Sequence, residues 1–303
     1  MNDVAIIIVN YNTAKYTLEC IQAVHDKTHP SIQYQIIVVD NNSELDDYKL
    51  LAAKFPKLDN HTLHRSPINT GFGGGNMLGV PYAEAQYLLF LNNDAMLLND
   101  CLRILKNFMD ANSDVGVSTA QNFDEHNDFV KSFDHNKGLR RLLFGRGFLE
   151  KMNPRKYPAR KQAYTHPVEA NWLNGAFLFF RSQAFEKVGG FDTNIFLYWE
   201  EMDICHRLRK HGLKSMLVPE AKVLHYQGVS TGASKLINKE SYISYRYVVR
   251  KNFGILKSWA IKIYLTFALL LKPKKWYLLA TVLDCNPMKR SLKHKQTTRT
   301  YEE

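Results

Sequence analysis

The feature that most constrains the fold of this 303-residue chain is a series of short apolar runs that each end in polar residues. The runs cover residues 4–9, 36–39 and 87–91, and Asn or Asp follows each of them directly. Short runs rich in β-branched side chains are typical of strands that are buried on both faces of a parallel sheet. We therefore predict an α/β domain, in which ligands bind at the carboxyl ends of the strands.

Stretches with the apolar spacing of helices separate these runs, and the second half of the chain repeats the alternation. Gly212 stands where a helix-closing glycine is expected. The predicted elements are a helix capped by Thr13, helices near 44–55, 76–86 and 99–111, a strand over 176–180, a helix over 201–210 and a strand over 213–218.

Residues 122–165 differ from the rest of the chain, since they are polar, weakly periodic and rich in Asn, Lys and Arg. Between Lys131 and Lys161, ten basic side chains stand against two acidic ones. We predict a long, partly mobile loop, of the kind that often carries function.

The net charge of +11 is confined to the last quarter of the chain. Residues 231–303 hold 15 Lys and Arg against 4 Asp and Glu, whereas residues 1–230 are balanced. The apolar stretch 259–271 is too short to span a bilayer, and Pro273 prevents its fusion with the next apolar stretch. We predict an α/β catalytic domain over 1–230 and a basic, apolar-helical extension over 231–303 at an anionic membrane surface. The alternative is a helical hairpin that packs on the domain or on a second subunit.

The cysteines and the N-terminus indicate the compartment. The four cysteines are scattered and show no Cys-x-x-Cys spacing, which favours reduced thiols in a cytoplasm. The first apolar run is short and lacks the basic start of a signal peptide. A cytoplasmic protein is therefore expected.

Two acidic residues, Asp40 and Asp94, end apolar strands and are expected to project into one crevice. A nucleoside diphosphate requires a group that reads its base and a hard cation that neutralises its phosphates. Asp40 suits the first task as an acceptor for a pyrimidine N–H, and Asp94 suits the second as an oxygen ligand of Mg²⁺ or Mn²⁺. The alternative is that each residue simply forms a turn after its strand.

A glycine-rich run over residues 71–76 precedes a predicted helix and could approach phosphates closely. It does not complete the dinucleotide fingerprint, because Asn76 stands where the third glycine counted from Gly71 is required. The main evidence for a nicotinamide-dependent oxidoreductase is therefore missing. The structural alternative for the glycine-rich run is a flexible turn.

Three carboxylates, Glu200, Glu201 and Asp203, crowd the start of a predicted helix next to two aromatic residues. Acids at a helix start are also favoured by the helix dipole alone, which is the structural alternative. Large apolar neighbours would desolvate a carboxylate and raise its pKa toward that of a general base. His225 follows a strand and is either structural or a metal ligand.

Together these residues resemble glycosyltransferase family 2, the large group with the GT-A fold, over roughly residues 4–230. Within the family the chain is most similar to the bacterial rhamnosyltransferase-like branch that builds cell-surface polysaccharides. The resemblance rests on segments that occur in the family's order and spacing, namely residues 9–12 (VNYN), 39–43 (VDNNS), 69–76 (NTGFGGGN), 91–95 (LNNDA), 174–176 (NGA), 190–192 (GFD) and 198–205 (YWEEMDIC).

The resemblance also implies a role for each matching residue. Asp94 and His225 would bind Mn²⁺ or Mg²⁺, and Glu201 would be the catalytic base, with the basic segment 131–161 over the acceptor. Asn92 takes the first position of the family's metal-binding Asp-x-Asp motif, so only Asp94 of this pair is a charged ligand. The donor-site residues would be Asn10, Tyr11 and Asp40 at the nucleobase, with Gly71, Asn92 and Asn93.

Such an enzyme would invert the anomeric centre of a hexose, rhamnose being one candidate, and pass it to a lipid-linked glycan at the inner face of the bacterial cytoplasmic membrane. Transfer of another hexose from UDP is the alternative within the family. A nucleotidyltransferase is a rival class, but it would be expected to carry a Lys-containing glycine loop near the N-terminus. A nucleic-acid-binding module is a second rival, and it predicts salt-sensitive binding to oligonucleotides.

Overall fold

The computed structural model describes residues 1–226 and 234–299. Its first half alternates strands and helices, as the apolar runs predict. The elements of this half are β1 (Asn2–Asn10), α1 (Ala14–Lys27), β2 (Tyr34–Asp40), α2 (Leu45–Lys54), β3 (His61–Arg65), α3 (Gly71–Gly79), β4 (Ala85–Asn92), β5 (Ala95–Leu97), α4 (Cys101–Ala111) and β6 (Val115–Phe123).

The second half begins with short elements and ends in helices. The elements up to residue 226 are β7 (Phe129–Val130), β8 (Phe133–Asp134), α5 (Leu139–Phe144), α6 (Arg146–Met152), β9 (Val168–Glu169), β10 (Trp172–Leu173), β11 (Phe177–Arg181), α7 (Ser182–Lys187), α8 (Glu200–Lys210) and β12 (Lys214–His225). The longer elements after residue 234 are α9 (Lys235–Phe253), α10 (Ile255–Leu270) and α11 (Leu279–Leu283).

Ten strands of the described part of the chain form one mixed sheet. Its order is β3-β2-β1-β4-β11-β6-β12-β5, with β7 paired to β6 and β9 paired to β12. The strands β1 to β4 are mutually parallel, and β11 runs antiparallel to both β4 and β6. Asn10 at the end of β1 therefore lies beside Asp40 at the end of β2, and Asn92 ends β4 at the same edge. The predicted α/β class is confirmed, and the parallel pairing holds in the half of the sheet that carries these residues.

Apolar side chains that alternate along β1 fill both faces of the sheet. Val4, Ile6 and Ile8 belong to a buried cluster with residues of α1 and α4. Ala5 and Ile7 belong to a second cluster with residues of α7 and α8. Successive residues of a strand point to opposite faces, so a strand covered on both faces is apolar at every position. This explains the continuous apolar run from which the fold was predicted.

Two parts of the chain differ from the sequence predictions. The helix predicted near 76–86 is α3, which already begins at Gly71 and ends at Gly79. Its glycines allow a close approach to the sheet, because a Cβ on Gly79 would lie 2.8 Å from Ile7. Residues 122–165, for which the sequence predicts a long loop, contain β7, β8, α5 and α6. These elements are too short to impose a visible period on the sequence.

The C-terminal extension packs against the α/β part of the chain. Tyr245 and Val248 of α9 share an apolar cluster with Met202 of α8. Beside this cluster, the buried carboxylate of Asp203 in α8 pairs with Lys251 in α9 at 2.9 Å. The inner face of the extension is thus a packing surface. This agrees with the alternative prediction, in which the C-terminal helices pack on the α/β domain.

The break that the sequence predicts at Pro273 is present, because α10 ends at Leu270 and a 3-10 segment follows. Among the residues that the structure describes, no helix combines the length and apolar character needed to span a bilayer. The division between the two domains at residues 230 and 231 lies outside the described residues.

Candidate active site

A cavity of about 1040 Å³ opens at the carboxyl ends of β1 and β4. Most of the predicted site residues line it, although they come from five different parts of the chain. The lining includes Tyr11, Gly71, Asn92, Asn93, Asp94, Glu201 and His225.

Glu201 lies in the first turn of α8 and reaches the cavity beside Gly175. A Cβ on Gly175 would lie 2.3 Å from Glu201 Oε1, so only glycine leaves room for this carboxylate. Burial raises the pKa of Glu201 to about 7, although the backbone N–H groups of Glu201 and Gly175 oppose the shift. A carboxylate with this pKa can accept a proton at neutral pH.

The two acids next to Glu201 are in different situations. Glu200 is buried, and burial followed by the charge of Glu201 raises the pKa of Glu200 well above its ordinary value. Both effects favour the protonated form of Glu200 over the carboxylate. Asp203 is neutralised by Arg207 at 2.7 Å and by Lys251. Of the three acids, Glu201 is the one suited to proton transfer.

The turn that delivers Glu201 is conformationally strained. Tyr198 and Trp199 have φ angles of 71° and 75°, in the left-handed region that β-carbons disfavour. Trp199 is held in place by its indole N–H, which donates to the carbonyl oxygen of Ser241 at 2.9 Å, and by its ring contact with Tyr245. Strain of this kind persists where surrounding contacts impose it, and it is common at functional sites. Here α9 of the C-terminal extension supplies those contacts.

Asp94 and His225 meet because β5 and β12 pair, with Ala95 directly opposite His225. His225 Nε2 lies 3.4 Å from Asp94 Oδ1, and both side chains are nearly buried at the cavity wall. Within the described residues there is no group of three or more His, Cys, Asp or Glu side chains that could hold a metal ion. A carboxylate and an imidazole are suitable ligand types for Mn²⁺ or Mg²⁺, but two side chains do not complete a site, so metal binding by this pair stays a prediction.

Asn10 and Asp40 lie behind the cavity lining and are fully buried. The amide of Asn10 donates to Asp40 Oδ1 at 2.9 Å and to Ser43 Oγ at 3.0 Å. Arg65 Nε lies 3.4 Å from the second oxygen of Asp40. The structure thus brings these residues together as a support for the loop after β2, and their contact with a nucleobase stays a prediction. Tyr11 lines the cavity in front of them.

The polar turn after β4 is anchored to the start of α1. Asn93 donates from its amide to Thr13 Oγ1 at 2.6 Å and to Thr17 Oγ1 at 2.9 Å. Thr13 holds the predicted position before α1, but its side chain makes no capping hydrogen bond to the helix. Instead of capping the helix, the hydroxyl of Thr13 accepts a hydrogen bond from Asn93 and so connects α1 to the turn that carries Asp94.

Only glycine fits at position 71, because the backbone of Phe196 approaches it closely. The φ of Gly71 is 77°, and a Cβ at this position would lie 1.9 Å from the carbonyl oxygen of Phe196. Phe72 N donates to the same oxygen at 3.0 Å. The glycine therefore joins the start of α3 to the loop before α8, and it also borders the cavity.

Several residues that line the cavity were not predicted as site residues from the sequence. Trp172 lies between the predicted loop over 122–165 and the predicted strand over 176–180, and Leu292 and Gln296 come from the C-terminal tail. Asn174, which also lines the cavity, was part of the NGA motif but had no assigned role. The tail continues to Arg299, whose guanidinium lies 2.5 Å from Glu44 Oε1 in the loop after β2. Only tertiary packing brings these distant positions to one site.

Two solved structures share the fold of this chain. The crystal structure of GalNAc-T7 with UDP, GalNAc and Mn²⁺ superposes with a TM-score of 0.61 at 16% identity and covers 82% of this chain and 48% of that one. The crystal structure of Staphylococcus aureus TarS 1–349 in complex with UDP gives a TM-score of 0.55 at 14% identity and covers 88% and 70%. The fold is that of the GT-A glycosyltransferases.

Sequence comparison identifies the family. The family model described as glycosyl transferase family 2 matches residues 5–188. Rhamnosyltransferase WbbL of Escherichia coli K12 is 29% identical over 262 residues, which cover 82% of this chain and 93% of the relative. N-acetylglucosaminyl-diphospho-decaprenol L-rhamnosyltransferase of Mycobacterium tuberculosis is 44% identical over 92 residues, which cover 28% of this chain and 30% of the relative. The chain belongs to glycosyltransferase family 2 and is rhamnosyltransferase-like, as the sequence motifs predicted.

Proposed function

We propose that this chain is an inverting, metal-dependent hexosyltransferase that moves a sugar from a nucleoside diphosphate to a lipid-linked glycan in the synthesis of a bacterial surface polysaccharide such as O-antigen. The observation that carries the proposal is the shared cavity of Glu201 and the Asp94–His225 pair. A base and an anion-stabilising group at one cavity are what direct displacement at an anomeric carbon requires.

In the proposed reaction, Glu201 takes the proton of the acceptor hydroxyl as its oxygen attacks the anomeric carbon. The new C–O bond forms on the face opposite the diphosphate, whose bond to the sugar breaks, so the configuration is inverted. The diphosphate leaves with the electron pair and needs no proton from the protein. When bound by Asp94 and His225, Mn²⁺ or Mg²⁺ would neutralise the charge on the donor phosphates.

The names of the relatives make rhamnose the first donor sugar to test, with dTDP-rhamnose as the donor. A UDP-hexose is the alternative, because the two solved structures hold UDP. Thermal shifts should be measured with dTDP-rhamnose, UDP-N-acetylglucosamine, UDP-galactose and GDP-mannose, each with and without Mn²⁺. We expect the largest rise in Tm with dTDP-rhamnose and Mn²⁺. The absence of a shift with every donor would contradict the proposal.

The metal assignment has its own test. Asp94→Ala should abolish transfer and the Mn²⁺-dependent part of nucleotide binding, whereas His225→Ala should weaken both, because Asp94 is the charged ligand. Isothermal titration with dTDP, with and without Mn²⁺, measures the effect. Chelator-sensitive activity that stays near the wild-type level in Asp94→Ala would show that the metal is held elsewhere.

A lipid-linked acceptor and a peripheral position on the inner face of the cytoplasmic membrane are supported by the outer face of α10. Leu256, Trp259, Ile263 and Phe267 of this helix are all more than half exposed. Lysines flank these apolar side chains in the sequence, so the surface suits an anionic bilayer. The name of the mycobacterial relative, which includes a diphospho-decaprenol-linked sugar, agrees with an acceptor of this class.

A further inference from the structure

Four cationic side chains gather around one carboxylate in the segment between β8 and β9. Arg141, Arg146 and Arg160 lie 3.0, 3.4 and 3.3 Å from the oxygens of Asp134. Lys137 stands close enough to Arg141 for their charges to repel. We name Lys137, Arg141, Arg146 and Arg160 the basic cluster.

The positive charge of the basic cluster is not balanced. Glu150, the other acid of this segment, faces His135 at 3.4 Å instead. In the described part of the chain no carboxylate pairs with Lys137, whose Nζ lies 5.1 Å from the centre of the Trp199 ring and 4.8 Å from that of Tyr245. Burial lowers the pKa of Lys137 to about 8. Four cations share the single carboxylate of Asp134, and the buried positive charge in excess of that carboxylate is costly, so an anionic ligand would stabilise the cluster.

The basic cluster lies between the cavity and an exposed apolar surface. On the cavity side, Trp199 touches Lys137 and lines the cavity together with Trp172, whose indole N–H donates to the carbonyl oxygen of His135 at 3.1 Å. Glu201 lines the same cavity.

On the other side, α5 and α6 carry the arginines Arg141 and Arg146 and also expose large apolar side chains. We name the exposed residues Leu143, Phe144, Phe148 and Met152 the apolar hairpin face. The helix α5 also contacts α10, whose outer face is exposed and apolar.

We propose that the basic cluster binds the diphosphate of a lipid-linked acceptor, with the lipid on the apolar hairpin face and the sugar in the cavity beside Glu201. The inference rests on the proposed function and adds the side chains that would bind the diphosphate of the acceptor. A diphosphate matches the cluster because guanidinium groups bind its oxygens in pairs and an ammonium group adds a point charge. The protein features follow the same order as the parts of such an acceptor. The apolar hairpin face would contact the lipid and the basic cluster would bind the diphosphate. The aromatic wall of the cavity would contact the sugar, and Glu201 would face its hydroxyl.

The test compares two acceptors that differ only in the diphosphate. N-acetylglucosamine linked through a diphosphate to a short prenyl chain is compared with the alkyl glycoside of the same sugar. Lys137→Met keeps the apolar stem between the two rings but removes the charge. For the diphosphate acceptor we expect kcat/KM to fall about ten- to hundredfold, the loss typical of a hydrogen bond to a charged group. For the alkyl glycoside kcat/KM should not change, and Lys137→Arg should restore part of the loss.

Lys161→Ala is the matched control, because Lys161 is exposed in the same segment and outside the basic cluster. It should leave both acceptors unaffected. An equal fall on both acceptors with Lys137→Met would overturn the inference, because Lys137 would then act on the cavity through Trp199. Loss of affinity for phosphatidylglycerol vesicles without loss of acceptor discrimination would assign the cluster to bilayer headgroups and overturn it as well.

A binding measurement separates this inference from the proposed function. If the wild-type protein transfers no sugar to either acceptor, the proposed function fails. The cluster is still tested by calorimetry with inorganic pyrophosphate in metal-free buffer, in an Asp94→Ala background that removes the donor-side metal ligand. The inference predicts binding that Lys137→Met weakens about tenfold or more, and binding that is equal in both proteins overturns it.

Discussion

The substitution Glu201→Gln distinguishes a role of Glu201 in proton transfer from a purely structural role. Glutamine keeps the shape and the hydrogen-bonding reach of the side chain beside Gly175, but it cannot take a proton from the acceptor. Removal of a general base typically lowers the rate by about two to four orders of magnitude. Donor affinity should change little, because the carboxylate faces the acceptor in the proposed reaction.

The raised pKa of Glu201 determines whether the protein becomes more or less stable as the pH rises. The ordinary value is 4.5 and burial raises it to about 7, so the folded protein binds this proton more tightly than the unfolded chain. The contribution to stability is therefore full below about pH 4.5 and is lost as the pH rises to about 7, a change of about 3 kcal/mol. Glu201→Gln removes this dependence and should be at least as stable as the wild type at pH 8.

Transfer and thermal unfolding should be measured on the same preparations between pH 5 and 9. The wild-type kcat/KM should rise with pH through an apparent pKa near 7, because the base must be ionised. Glu200→Gln is the matched control, since burial favours the neutral form of Glu200, which glutamine imitates, and this variant should retain much more activity. A folded Glu201→Gln protein with wild-type turnover would refute the assignment. A loss of stability with retained turnover would show a structural role.

Three further changes test the geometry. Gly175→Ala should lower kcat by about a hundredfold with little change in donor KM, because a Cβ 2.3 Å from Glu201 Oε1 displaces the base. Gly71→Ala should destabilise the fold by about 3 kcal/mol or more in thermal or urea unfolding, because its Cβ would meet the carbonyl oxygen of Phe196 at a φ of 77°. Phe267→Glu should weaken cosedimentation with anionic vesicles about tenfold by placing a charge on the exposed face of α10.

Each of these changes has a control in the chain. Gly147→Ala and Gly138→Ala place a Cβ where no atom lies within 4 Å, so both should behave like the wild type. Leu58→Glu alters a side chain that is about half exposed in the connection before β3 and should leave vesicle binding unchanged. Wild-type kcat in Gly175→Ala, wild-type stability in Gly71→Ala or undiminished vesicle binding in Phe267→Glu would each contradict the corresponding argument.

The sequence determined the elements whose pattern is local. The run over residues 4–9 predicted β1 because a strand buried on both faces must be apolar at every position. Polar residues after such runs predicted the cavity edge, and Asp94 and Glu201 do line the cavity. The family motifs predicted the GT-A fold and the family, and the comparisons confirm both.

Where local pattern was weak, the predictions were incomplete. The strand β3 reads His-Thr-Leu-His-Arg and carries one large aliphatic side chain, so its place at the sheet edge left no strand signal. The helices α5 and α6 have six and seven residues and formed no visible period within a basic segment. The ion pair of Arg160 with Asp134 joins the two ends of the segment that contains these helices, and such a pair between distant positions leaves no periodic signal in the sequence.

Only the tertiary structure decided what surrounds each candidate side chain. The local pattern left Glu200, Glu201 and Asp203 as similar acids, and only the family resemblance implied that Glu201 is the base. The fold distinguishes them by burial, by the space beside Gly175 and by the cations beside Asp203. It also places Asp40 behind the cavity wall and joins Trp199 to Tyr245 of the extension. A pKa or a close approach depends on groups that are distant in sequence, because burial and Coulomb interactions act through space and not along the chain.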